Sequence, residues 1–380
     1  MNFDLSEEQT MLRDAAQKFL RAEYGFDARN KIAASEPGMS REHWRRFGEF
    51  GWLGVALPEA DGGFGGGIVE TIQVAEALGA ALVAEPYLAS TVLGAQAVAR
   101  AGNPVQRSTW LPGLASGELI LSLAYTEVDA RHDLAHVQTR ATAKGGGWVL
   151  SGRKSGVLGA PWADGFVVVA RTSGAVNERR GISLFLVGAR TPGVQVADYK
   201  VYDGSRAGDL RLDDVVLGEG ALLGTEGEGL ALLEHLIDLG IVAACADALG
   251  AMGVLLRKTG EYVSARKQFD VPIASFQVVQ HRLVDMFAAV EATRSLVWMA
   301  ALHAEHLDAA VRSRTVSAAK VAIGERARFV AQQAVQLHGG VGMTEELDIG
   351  HYFRRLTLFC NLFGSSDHHL QRFAALRAAT

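Results

Sequence analysis

The sequence predicts a mainly α-helical protein with a β-domain in its middle. Apolar residues recur at helical spacing near both ends of the chain, and between those ends they fall in short runs bounded by glycine. A chain of 380 residues also exceeds what one hydrophobic core usually organises. Three domains are expected: a helical domain over residues 1–116, a β-domain over 117–227 and a helical bundle over 228–380.

In the first block, Ser6 followed by Gln9 makes a capping box. Met11, Leu12, Ala15, Ala16, Phe19 and Leu20 then recur on one face, the pattern of an amphipathic helix packing inward. The stretch LPEADGGFGGG (57–67) interrupts with turn residues, and helical spacing resumes from Glu70 until Pro104. The middle block reads as strands: LILSLAY, GWVLSG, FVVVAR, ISLFLV, GVQVADY and LRLDDVVL. Turns rather than helices separate them, which favours an antiparallel sheet or small barrel over a Rossmann unit. Three long helical segments follow, near 229–264, 276–306 and 311–338. In the second, Val279, Leu283, Met286, Val290 and Val297 form one buried stripe, as in a helical bundle.

Composition narrows the function classes. Hydrophobic residues make up 49% against 21% charged, and the net charge is -5, so the chain reads as soluble and globular and offers nothing to nucleic acid. The acidic start MNFDLSEEQ is unlike a signal peptide, and no uncharged 18-residue apolar segment occurs, so a cytoplasmic protein without membrane contact is expected. Cys245 and Cys360 lack CxxC or Cys/His spacing, which speaks against a disulfide framework or structural zinc.

Glycine-rich GGFGGG (62–67) follows no strand and lacks the Walker spacing, so it reads as a surface turn; LGTEGEG (223–229) reads as the linker into the bundle. His351, Asp367, His368 and His369, with His338 nearby, match no familiar metal spacing, and no metal is expected. More suggestive are Arg266, Lys267, Gln268 and Phe269 at the end of a long helix, then FQVVQH, then QLHGG (336–340) closing the next one. Amide side chains and glycines at helix ends suit a polyphosphate or an isoalloxazine edge, since glutamine both donates and accepts and glycine admits close backbone approach.

With SEEQTMLRD, LPEADGGFGG, YTEVDARHD, RKQFDVPIASFQVVQ and QLHGGVGMT in this order, the chain resembles the acyl-CoA dehydrogenase family over essentially its whole length. EPYLAS, GRKSGVLGAP and HYFRRLTL look most like the small subunits of pimeloyl-CoA dehydrogenase and of steroid-degrading heteromers. The resemblance implies an N-terminal helical domain, a β-barrel-like middle domain and a C-terminal four-helix bundle. It implies FAD between sheet and bundle, reaching a neighbouring subunit. Tyr125 and Thr126 would then lie beside the flavin ring, with Val157 and Leu158 on its other side. Arg266, Gln268, Phe269, Phe276, Gln277, Gln336, Gly339 and Gly340 would handle the pyrophosphate and adenine. The implied reaction is α,β-dehydrogenation of an acyl-CoA thioester, with an electron-transfer flavoprotein or similar acceptor as partner, in a homo-oligomer or a heterotetramer with a related subunit. A flavin monooxygenase, an acyl-CoA oxidase or a flavin-free structural subunit on the same fold are the alternatives.

The family's proton-abstracting carboxylate is not where the resemblance puts it. Ser365 stands at the common position and Gly240 at the other. Neither a hydroxyl nor a glycine does a carboxylate's work at neutral pH. Either Asp367 takes the role, or this is the non-catalytic half of a heteromer whose partner supplies the base, and the second is preferred. Arg131 and His132 likewise replace a small pair of the family pattern.

Overall fold

The structure, a computed structural model, describes residues 5–378. It comprises two compact units: Met1–Lys31, Ile68–Val83 and Ile241–Thr380 in one, Ile32–Gly67 and Ala84–Gly240 in the other. The N-terminal helices are α1 (Glu7–Glu23), α2 (Phe26–Ala34), α3 (Arg41–Glu49) and α4 (Ile68–Ala80). At the start of α1 the Ser6 hydroxyl accepts from the Gln9 N–H while the Gln9 side chain accepts from the Ser6 N–H, the expected capping box. Ala16, Phe19 and Leu20 are buried, but Met11 (64% exposed) and Ala15 face solvent, so the inward stripe is narrower than the spacing suggests.

A continuous helical run from Glu70 to Pro104 does not form. Leu82 takes a left-handed conformation (φ 54) and Pro86 lacks an N–H, so the helix stops at Ala80. It restarts as a π-helical segment, Tyr87–Ala95, running into α5 (Gln96–Ala101), and α6 (Pro104–Ser116) follows behind a second capping box at Asn103 and Gln106. The GGFGGG segment folds back on residues 54–58 through backbone bonds such as Gly65 N–H to Leu57 O (2.8 Å), which makes it a turn.

Eight strands form one sheet: β1 (Leu121–Ala124), β2 (Arg140–Lys144), β3 (Gly147–Leu158), β4 (Gly165–Arg171), β5 (Ile182–Gly188), β6 (Val194–Lys200), β7 (Arg206–Gly218) and β8 (Leu222–Leu223). Its order is β6-β7-β3-β2-β4-β5-β8, with β1 added beside β4. The sheet is mixed rather than antiparallel throughout. The long connection after β1 brings the chain back in the same direction, so β1 and β2 both run parallel to β4. Alternate residues of one face, among them Trp148, Leu150, Phe166, Val168, Phe185, Leu210 and Leu212, make the core. The polar strand β2 escapes the hydrophobic pattern. Its signal is the turn: Gly145 and Gly146, both at positive φ (61 and 79), form the two-residue connection of a tight hairpin into β3.

The C-terminal helices are α7 (Gly229–Ala265), α8 (Gln277–His303), α9 (Ala309–His338), α10 (Ile349–Asn361) and α11 (Ser366–Ala378), with α9 packed on α8, α10 and α11. By length and composition α7 would cross a membrane, yet 78% of its most apolar stretch is buried inside the protein, as in a core helix. Val279, Met286, Val290 and Val297 are buried as the spacing predicts, with Leu283 partly covered. Both cysteines are buried and unpaired, and burial pushes the Cys245 thiol up to about 12, leaving it unreactive.

Where α4 meets α7, Gly79 and Gly250 each lie against the backbone of the opposite helix. A Cβ on Gly250 would overlap the Glu76 carbonyl, and one on Gly79 would overlap the Asp247 carbonyl. Both obstacles are backbone, so no side chain can swing aside. Gly250→Ala is expected to lower stability by about 2 kcal/mol or more. Denaturant titration checks this, and an unchanged midpoint would show that the two helices slide apart at no cost.

Candidate functional site

Two sets of residues carry the chemistry, one in each unit. In the sheet-bearing unit, β1 ends at Ala124 and delivers Tyr125 and Thr126, while β3 ends with Val157 and Leu158. The Ser155 N–H donates to the Thr126 carbonyl (2.9 Å), and the Lys154 ammonium lies 3.4 Å from the Tyr125 carbonyl. Tyr125 and Thr126 are thus held against the end of β3, with Val157 buried and Leu158 half-buried. Burial pushes the Tyr125 phenol up to about 12, against the opposing bond with Thr126, so it stays a neutral donor.

Beneath this segment lies a buried ion pair that the sequence reading missed. Lys154 Nζ is 2.7 Å from Glu127 Oε1, and their side chains are 0% and 6% exposed. The Glu127 carboxylate also accepts from the Gln138 N–H (2.7 Å), the Thr139 N–H (3.0 Å) and the Thr139 hydroxyl (2.7 Å). Burial by itself would raise the Glu127 carboxyl; the Lys154 ammonium and these donors outweigh it and hold Glu127 below the usual carboxylate range. Both residues of the pair line a cavity of about 800 Å³, together with Asp129, Arg153, Gln195 and Asp209. The only hint in the sequence is a charge beside buried strand residues in each of TEVDARHD and GRKSG.

Arg171 is a second hidden group. Its guanidinium is fully buried at the end of β4 and meets six backbone carbonyls, those of Ala135, Val137, Ser173, Val176, Glu178 and Arg180, at 2.8–3.3 Å. It ties the chain before β2 to the loop between β4 and β5.

In the other unit, α7 ends just before Arg266, and a small hairpin of β9 (Lys267–Gln268) and β10 (Val271–Pro272) turns at Phe269 and Asp270, both at positive φ. The Phe269 ring, 87% exposed, stands edge-on to Phe276 at 6.2 Å, and Gln277 opens α8. Tyr262 stacks on His338 at 4.4 Å and its phenol donates to the His338 carbonyl (3.3 Å), setting the ends of α7 and α9 side by side. Arg266, Gln268, Phe269, Phe276 and Gln277 are therefore gathered at one corner, next to the α9 end that carries Gln336, Gly339 and Gly340. All eight are exposed.

These residues fit a dinucleotide. Among the described residues the Arg266 guanidinium has no carboxylate partner, and a Cβ at Gly339 or Gly340 would meet nothing within 4 Å, so backbone can be approached there. An unpaired guanidinium suits a diphosphate and exposed rings suit a purine.

Ser365 and Asp367 sit at the start of α11. The Ser365 hydroxyl accepts from the His368 N–H (3.3 Å) and its carbonyl from the His369 N–H (3.1 Å), so Ser365 caps the helix. Asp367, two residues after Ser365, is exposed to solvent. His369 is buried between the Ser317 hydroxyl and the Phe363 carbonyl (both 3.2 Å); burial pushes its imidazole down to about 3, so it is neutral. His351 has Arg29 and Arg354 on Nδ1 and the Glu345 carbonyl on Nε2. Gly240 is buried within α7.

A buried-core β-domain in one unit, and dinucleotide-suited glycines with an unpaired arginine at helix ends in the other, fit a protein that binds a dinucleotide cofactor. Residues 6–118, 122–215 and 227–376 match the N-terminal, middle and C-terminal domains of acyl-CoA dehydrogenase, and the chain belongs to the acyl-CoA dehydrogenase family. It is 30% identical to "Probable acyl-CoA dehydrogenase YngJ" of Bacillus subtilis, over 99% of each chain. Among solved structures, a variant of the "Tcur3481-Tcur3483 steroid ACAD" shares 31% identity over 98% of each chain with a TM-score of 0.89. The "ChsE4-ChsE5 complex from Mycobacterium tuberculosis" shares 31% over the full length of each, also with a TM-score of 0.89. The protein is an FAD-binding acyl-CoA dehydrogenase by family, acting on CoA thioesters.

Proposed function

We propose that this chain is the base-lacking subunit of a heteromeric acyl-CoA dehydrogenase and works in the cytoplasm. The observation that carries the reading is the use made of the base positions. Ser365 spends its hydroxyl on the α11 cap, and Gly240 offers no side chain. Asp367 is exposed, and two residues on His369 anchors this stretch of α11 through buried bonds to Ser317 and Phe363. Support also comes from two similar structures, one described as the ChsE4-ChsE5 complex and one as a variant of the Tcur3481-Tcur3483 steroid ACAD.

Bound FAD would supply the hydride acceptor. Tyr125, Thr126, Val157 and Leu158 would hold the flavin ring, with Tyr125 a neutral donor at working pH. Arg266, Gln268, Phe269, Phe276, Gln277, Gln336, Gly339 and Gly340 would serve the diphosphate and adenine, for this copy or a neighbouring subunit. The α-proton of the thioester would pass to a carboxylate of the partner subunit, and the electrons to an electron-transfer flavoprotein or similar acceptor. Dicarboxylic, ring-bearing or steroid side-chain thioesters are the substrates to try first.

The test follows flavin absorbance during anaerobic addition of CoA thioesters, with this protein alone and co-expressed with a related dehydrogenase subunit. Bleaching is expected only in the mixed complex. Rapid bleaching by this chain alone, lost in Asp367→Asn, would sink the reading, and a colourless mixed complex would leave a structural subunit.

A further inference from the structure

His351 on α10 is the hub of a buried cluster. Its side chain is 8% exposed, and the Phe26 ring stands edge-on to it at 4.9 Å. Nδ1 lies 3.2 Å from the Arg29 guanidinium and 3.1 Å from that of Arg354. A guanidinium only donates, so Nδ1 offers its lone pair to both, and the single proton of the neutral ring sits on Nε2. Nε2 faces the Glu345 carbonyl and the Glu345 carboxylate, each at 3.3 Å. The partners are themselves tied down. Arg29 also donates to the Leu82 carbonyl (3.2 Å) and to Asn30 (3.3 Å), and Arg354 holds the Glu345 carboxylate with two bonds (2.5 and 2.9 Å).

The hub fastens one particular stretch of chain. Gln336, Gly339 and Gly340 run directly into the segment 341–348, all within one compact unit with the cluster. The near end of the stretch is fixed by the His338 ring stacked on Tyr262. Its far end is fixed by Glu345 in the cluster and by the Asp348 carboxylate on Lys258.

The charged groups facing the imidazole are Arg29 from α2, Arg354 from α10 and Glu345 from the segment ahead of it. Burial, and then the guanidiniums of Arg354 and Arg29, hold His351 below its ordinary 6.5, against the opposing pull of Glu345. The neutral ring therefore contributes stability that is complete above pH 6.5 and is lost as pH falls below it. An imidazolium has no lone pair for either arginine, and it would set a third positive charge 3.1–3.2 Å from two others. The ring then has to swing away, and Nε2 leaves the Glu345 carbonyl with it.

We propose that His351 is a positioning residue for the cofactor: while neutral it locks the segment that follows Gly339 and Gly340, and when protonated it releases that segment and α2, so that the grip on FAD weakens in acid. The proposal rests on FAD binding at those glycines; the latch itself is read without flavin.

Two variants separate charge from fit. His351→Asn keeps an acceptor near the place of Nδ1 and cannot titrate, whereas His351→Leu removes the acceptor and keeps the bulk. The full chain, with its partner subunit if one co-purifies, is stripped of flavin. Amide protection over residues 26–31 and 341–348 is followed from pH 7.5 to pH 5, corrected for intrinsic exchange, and FAD affinity is measured by fluorescence over the same range. In the parent protein, protection of both segments and affinity for FAD should fall together by roughly 3- to 10-fold below pH 6.5, since each pKa unit regained on release of the ring is worth tenfold. His351→Asn should hold both nearly level across the range, and His351→Leu should show the weakened values already at pH 7.5. Level protection in the parent would overturn the latch, as would a His351→Asn variant that declines in step with the parent. Protection that falls in acid while FAD affinity does not would limit His351 to holding the fold and overturn its role for the cofactor. A parent protein that takes up no FAD at any pH would overturn the FAD reading and the positioning role with it, while the protection data would still decide the latch.

Discussion

Glu127→Ala should destabilise the β-domain by about 3–5 kcal/mol, the usual consequence of removing one partner of a buried ion pair. The Lys154 ammonium, with its side chain fully buried, would lose its counter-charge, and the donors on Gln138 and Thr139 would lose their acceptor. The two partners respond to burial differently. Burial pushes Lys154 down to about 8 despite Glu127, while Glu127 is held low. The Glu127 direction is the firmer guide to the pair, because four donors converge on that carboxylate and one acceptor carboxylate serves the lysine. A carboxyl lowered from 4.5 contributes stability that is complete above that value and is lost as pH falls below it. Urea titration of the parent and variant at pH 7 and pH 4 checks both statements: the difference should be large at pH 7 and smaller at pH 4. Replacing both residues, as Glu127→Leu with Lys154→Met, should recover only the part of the loss due to the bare Lys154 ammonium, since the donors on Gln138 and Thr139 stay without an acceptor. A cost under about 1 kcal/mol at pH 7 would show that water reaches the pair.

The second large effect is expected at Arg171. Lysine there keeps the charge but brings three donors from one point, where arginine spreads five across a plane. Of the six carbonyls around Arg171, at least half would be left without a partner in a buried place. At about 1–3 kcal/mol for each bare group, Arg171→Lys should lose about 3 kcal/mol or more. The loss should appear first as faster amide exchange over residues 131–139 and 173–181, which the guanidinium ties together. Protection unchanged in both segments would mean that their own turns hold them.

Much of the scaffold was legible in the sequence, because the strongest signals are local and periodic. The capping box at Ser6, the stripe of Val279, Met286 and Val290, and the apolar strands β3, β4 and β5 each declare themselves within a dozen residues. What stayed hidden depends on distant partners. β2 is polar because its role is to bridge β3 and β4, and its neighbours Trp148 and Leu150 carry the apolar surface. The break at Leu82 turns on one left-handed residue before a proline, which helical periodicity averages away. Met11 follows the stripe in sequence yet lies beyond the surface that covers Phe19 and Leu20. At the site, Arg266 and the glycines of QLHGG were readable as helix-end chemistry. Glu127, Lys154 and Arg171 were not, since each looks like an ordinary surface charge until the fold closes over it. The meaning of Ser365 needed the cap on α11, where its hydroxyl is spent.

The turn between β2 and β3 bears on how the protein can be handled. A Cβ on Gly145 or Gly146 would meet nothing within 4 Å, whereas the loop from Thr172 to Gly181 has four of its carbonyls committed to one guanidinium. The first can be lengthened, so an affinity tag or a fluorescent reporter can be spliced in there without touching the core. The second has a fixed length, and a single inserted residue would pull a carbonyl off Arg171.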